Sequence, residues 1–184
     1  MGFLDRWRGD SGLQRKANSF VATLMREPDR DDVEWLARTA TKGDVDHARW
    51  ELRYARRALG LIVAQRDALD DRTGSAVARV LTEAIAKDGN VDASTLEIAE
   101  RQFNARVSAY RDGLDSRASG TPVATRLGQT LFAFSGGAFR DATADVARAG
   151  ELLGKYASEA NESLRAAFGI AELPEDVPPS AIGR

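Results

Sequence analysis

The residues best suited to chemistry lie between Asp44 and Arg57. This stretch holds the chain's one histidine, His47, with Asp46 beside it and Glu51 one helical turn on. An imidazole near a carboxylate can act as a general base, and the same pair also serves as an ordinary partly buried hydrogen bond. Arg49, Arg53, Arg56 and Arg57 stand at i, i+4, i+7 and i+8, which is one face of a helix. Planar guanidinia gathered there can bind phosphate or carboxylate bidentately; paired with acids, they form a solvated face instead. Trp50 and Tyr54 interleave with them. His47, Trp50, Tyr54, Arg53 and Arg57 are therefore the candidate contacts for a small apolar or anionic ligand held between helices.

Composition excludes other chemistries. The 184 residues contain no Cys, which removes thiol nucleophiles, Cys-ligated zinc, iron–sulfur clusters and disulfides together. A single His removes sites built on two imidazoles, including di-iron carboxylate bundles with a Glu-x-x-His unit on each of two helices. Asp88-Gly89-Asn90-Val91-Asp92 imitates the start of an EF-hand loop. It fails where Ala93 replaces the turn glycine and Ala99 replaces the bidentate Glu. Ser135-Gly136-Gly137 lacks the strand and Gly-Lys-Ser context of a phosphate loop and reads as a hinge or tight corner. No catalytic set, metal site or cofactor is expected. With 26 Lys+Arg against 28 Asp+Glu, the net charge of −2 supplies no general attraction to nucleic acid, which is not expected as a partner. Arg makes up 22 of the 26 basic residues, as in GC-rich bacterial genomes.

The longest nearly apolar stretches, Ala58–Ala64 and Leu131–Phe139, fall well short of the roughly 18 residues of a transmembrane helix. The opening lacks the apolar core of a secretory signal, and Arg6 stands where a myristoylation motif has Ser or Thr. Cytoplasmic residence is the expectation. Met1–Arg8 nevertheless interleaves Phe3, Leu4 and Trp7 with Arg6 and Arg8. Such a segment can lie in a membrane interface, dock in a partner's groove, or fold back onto its own core. It resembles the first residues of phage-shock-protein-A-type peripheral membrane proteins, without that family's long coiled coil. The resemblance implies peripheral contact with the inner face of a membrane.

The elements that must position these residues are helices. Apolar residues recur at helical spacing almost throughout, and no period-2 strand pattern stands out. The fold class is all-α: a bundle of about five to seven helices with a flexible, proline-containing tail. Three segments are expected: 1–10 as an amphipathic lead, 11–171 as one helical domain, and 172–184 as the tail with Pro174, Pro178 and Pro179. Ser11 is a candidate cap for the first helix, which Pro28 must end. Asp31 or Asp32 can cap the second. Gly43 and Asp44 open the central helix, expected over Asp44–Asp70 with Val45, Ala48, Leu52, Ala55, Leu59, Ile62 and Leu69 on its seam. Trp50, Tyr54, Ala58 and Leu61 make a second stripe, so this helix should touch two or more neighbours. Thr73-Gly74-Ser75 suggests a joint or a kink, and Ser94–Glu97 a capping box. Thr121-Pro122 reads as an N-cap with Pro at the first helical position, and Gly169 as a C-terminal cap. On the last helix Gly150 and Gly154 form a smooth strip, suited to a close crossing inside the bundle or between subunits. The leading functional expectation is a non-catalytic interaction or scaffolding module with a protein partner or self-association, anchored through Phe3, Leu4 and Trp7. A ligand-binding bundle and an enzyme using His47 with a nearby carboxylate are the alternatives.

Overall fold

A computed structural model of the chain describes residues 3–68, 70–89, 95–115, 120–137 and 143–169, without the side chains of residues 3–10 and Thr143. Seven helices run through these residues: α1 (Phe3–Leu24), α2 (Arg30–Thr39), α3 (Val45–Asp67), α4 (Asp71–Ala86), α5 (Leu96–Asp115), α6 (Val123–Phe134) and α7 (Thr143–Phe168). The all-α expectation holds, and no strand occurs among the described residues. Leu69, Asn90–Ser94, which carry part of the EF-hand-like motif and the first residue of the capping box, and the tail from residue 170 lie outside them.

Local chemistry sets most helix ends. Gly43 takes φ +90°, turning the chain so that Asp44 can start α3. Asp44 Oδ1 then accepts the His47 backbone N–H at 2.9 Å, filling one of the orphan donors of the first turn. Asp70 does the same for α4, accepting from Thr73 N at 2.6 Å. This cap moves the α3–α4 joint to residues 68–70. Gly74 sits inside α4, so the joint expected at Thr73–Ser75 is five residues earlier. Ser11 likewise lies within the continuous α1, and Asp29, ahead of the expected Asp31 or Asp32, occupies the cap position of α2. Pro122 takes the cap position of α6, one residue later than expected. Gly169 ends α7 at φ +92°, its N–H reaching the Arg165 carbonyl at 2.8 Å.

α3 is the central element, packing against α2, α4, α5 and α7. Ala48, Leu52, Ala55, Leu59 and Ile62 are buried along its seam. Val45 is exposed, because the seam begins one turn inside the helix. Tyr54 and Ala58 bury the second stripe, while Trp50 and Leu61 remain half-buried at its edges. α6 and α7 cross so closely that a Cβ on Gly128 would strike the Val146 carbonyl, and one on Gly150 the Ala124 carbonyl. Two glycines, one per helix, permit this contact.

Candidate functional site

The first half of α3 presents His47, Trp50, Glu51 and Tyr54 at i, i+3, i+4 and i+7, a single helix face. α5 brings Arg106 and Ile98 opposite, and Phe134 closes the end from the last turn of α6. Together they bound an open cleft of about 530 Å³. Trp50 and Tyr54 lie 5.6 Å apart between ring centroids, and Tyr54 lies 6.4 Å from Phe103 behind it.

The polar groups of this cleft are committed to one another. Glu51 is only 2% exposed and receives Arg106 through both oxygens, Nε donating to Oε2 at 2.8 Å and Nη2 to Oε1. Arg106 Nη1 donates to the Gln102 carbonyl at 3.0 Å. The guanidinium is sandwiched between the rings of Tyr54, at 4.7 Å, and Phe134, at 4.4 Å. A buried charge pair persists only when its remaining hydrogen-bonding capacity is also served, and here the fork geometry serves it. His47 Nε2 stands 3.4 Å from Glu51 Oε1, longer than an ordinary hydrogen bond, on a side chain that is 40% exposed. Burial pushes the Tyr54 phenol up, and the Arg106 charge pulls it partly back. Tyr110, fully buried, has an Oη without a hydrogen-bond partner; burial drives its phenol far up, and the charge of Glu51 adds to that.

The arginine face resolves into individual pairs. Arg49 bonds Asp46 at 2.6 Å. Arg53 takes Glu27 bidentately at 3.0 and 2.6 Å and lies 4.8 Å from the Trp50 ring centroid. Arg57, 1% exposed, bonds Asp88 at 2.8 Å. His47, Trp50 and Tyr54 are thus brought into one cleft, whereas Arg53 and Arg57 are drawn to carboxylates elsewhere and do not line it. At the N-terminus the backbone is helical from Phe3, so positions 3, 4 and 7 fall on the first turns of α1; their side chains lie outside the described residues. Gly150 is occupied by the α6 crossing, while a Cβ on Gly154 would meet nothing within 4 Å.

Sequence reasoning missed Arg106, Glu51's role as its partner, and Phe134. A signal existed: Arg106 interrupts the apolar stripe Phe103–Val107–Tyr110 of α5, and Glu51 interrupts Ala48–Leu52–Ala55 of α3. Two opposite charges on two buried stripes are a reason to pair them. Among the described residues no group of three or more His, Asp or Glu could hold a metal ion, and no helix is long and apolar enough to cross a membrane. Compared with protein-family models, curated proteins and solved structures, the chain matches none.

Proposed function

We propose that the chain is a non-catalytic binding module whose α3–α5–α6 cleft accepts a small, largely apolar, ring-bearing molecule. One observation carries this reading: the cleft is walled by Trp50, Tyr54 and Phe134, while its charged groups already satisfy each other. Such a site gains from apolar contact and does not require a charged guest. A general-base role for His47 would need Glu51 to orient the ring, and Glu51 is held by Arg106; binding therefore ranks ahead of catalysis. The test uses indole as a neutral probe, followed by NMR of the Ile98 and Ala99 methyl groups. Saturable shifts are expected, and Trp50→Ala should weaken them about tenfold, the equivalent of one lost ring contact. Unperturbed methyl signals up to the solubility of indole would remove the reading.

The scaffolding reading concerns a different part of the chain and is favoured by the helical backbone that begins at Phe3. In it, Phe3, Leu4 and Trp7 attach a cytoplasmic protein to a partner or to the inner face of a membrane. Phe3→Ser combined with Trp7→Ser should then reduce sedimentation with anionic liposomes, or recovery of a partner, at unchanged helicity. Unaltered recovery in both assays would end it.

A further inference from the structure

A separate cleft of about 480 Å³ lies between the end of α1, Arg56 of α3 and the Lys155–Ser163 stretch of α7. Its polar groups are arranged unlike those around Glu51. The Arg56 side chain is 11% exposed, yet its Nε is buried without a hydrogen-bond partner. Its Nη1 reaches the Arg26 carbonyl only at 3.5 Å, and its Nη2 is 3.7 Å from Glu159 Oε2. The guanidinium lies 4.3 Å from the ring centroid of Tyr156. Tyr156 is 2% exposed, and its buried Oη interacts with the Arg56 guanidinium without making a well-formed hydrogen bond. Lys155 Nζ stands 3.8 Å from both Asp29 Oδ2 and Glu159 Oε1.

Buried donors without acceptors are costly, so a native protein rarely keeps several together without something that binds them. Arg57 also leaves two N–H groups unpaired, but it has its short bond to Asp88 and does not line this cleft. The wall carries both signs. Arg26, Arg56 and Lys155 are its bases and Glu27, Asp29, Glu159 and Glu162 its carboxylates; Glu27 is taken by Arg53, while Arg56–Glu159, Lys155–Asp29 and Lys155–Glu159 are each left longer than a hydrogen bond. A multivalent anion would meet the carboxylates, and a simple cation would meet the bases. A guest bearing one charge of each sign meets neither conflict.

We propose that this cleft binds a small zwitterion of the amino-carboxylate class. The guest carboxylate takes the free donors of Arg56 and the Tyr156 hydroxyl, and its ammonium group lies against Asp29 and Glu159. Guanidinium recognition of a carboxylate is strong, and here the competing contacts of the Arg56 fork are long, at 3.5 Å to the Arg26 carbonyl and 3.7 Å to Glu159.

γ-Aminobutyrate, butyrate and n-butylammonium provide a matched set of whole zwitterion and its two halves. Titrated into the full chain and followed at the Arg56 Nε–H resonance, γ-aminobutyrate should give a saturable shift. Each half should bind at least about tenfold more weakly, because each leaves one pair of wall charges unserved. Tyr156→Phe should keep the melting temperature, since the hydroxyl makes no well-formed hydrogen bond, and should weaken γ-aminobutyrate about fivefold through the lost donor. No shift with γ-aminobutyrate, or butyrate binding as tightly as γ-aminobutyrate, would overturn the proposal. Undiminished binding by Tyr156→Phe would do the same.

Discussion

Two clefts flank the same helix with opposite electrostatic habits. Around Glu51 the charges are closed on themselves: a forked guanidinium, a buried carboxylate and two aromatic faces leave little unserved. Around Arg56 the charges stand apart at 3.7–3.8 Å, and Arg56 Nε and Tyr156 Oη are buried without a well-formed hydrogen bond. The first arrangement mainly holds the fold together; the second leaves charges that the proposed zwitterion would satisfy. Arginine on an amphipathic helix therefore carries no fixed meaning. Its role follows from whether a carboxylate from elsewhere in the fold arrives within hydrogen-bond reach.

The largest expected effect lies in the closed cleft. Arg106→Met should cost about 3–5 kcal/mol in denaturant unfolding, because it strands Glu51 as a buried charge. Adding Glu51→Met to the same chain should recover most of that loss. A double variant no more stable than the single would show that the pair is not coupled, and the contrast between the clefts would fail.

The open cleft should respond in alkali. Burial raises the Tyr156 phenol to about 12, and the Arg56 charge only partly opposes it. Unfolded tyrosine ionises near roughly pH 10, so above that pH the folded chain keeps a proton that the unfolded chain has lost. The stability contributed is full below pH 10 and is lost as pH rises toward 12. Replacing Tyr156 by Phe should remove about 2 kcal/mol of this decline between those limits, with the rise at Tyr110 left in place. Equal slopes for wild type and variant would place the Tyr156 hydroxyl in contact with solvent.

At neutral pH the same substitution should shift stability by no more than about 0.5 kcal/mol, since the hydroxyl makes no well-formed hydrogen bond to lose. A loss near 2 kcal/mol would reveal a hydrogen bond and close the open cleft. The smallest effect is expected at His47. His47→Gln should change stability by less than about 0.5 kcal/mol, as for an exposed side chain beside a carboxylate already held by another group. A larger loss would make the imidazole part of the Glu51–Arg106 unit.

Much of the fold was legible because its determinants are local. Asp44 after Gly43, and Gly169 after Phe168, mark helix ends within a few residues of themselves, and the α3 periodicity grouped His47, Trp50 and Tyr54 on one face. The partners of that face come from α5 and α6, more than forty residues away, where spacing along the chain says nothing about approach. The fates of Arg53, Arg56 and Arg57 differ for the same reason: Glu27 and Asp88 reach two of them, while Glu159 stops short of the third. Gly150 was readable as a smooth spot, but its use required Gly128 and Ala124 on another helix.

The position of α3 also sets how the protein opens. Neighbours on several sides leave its middle turns no local route to solvent, so their amide protons should exchange only when the whole assembly of helices comes apart. The deuterium uptake of Ala55–Ile62 then reports the global unfolding equilibrium, whereas the helix ends report fraying. Any ligand that occupies either cleft should slow exchange at these central amides without touching them, turning the buried middle of α3 into a gauge of binding elsewhere.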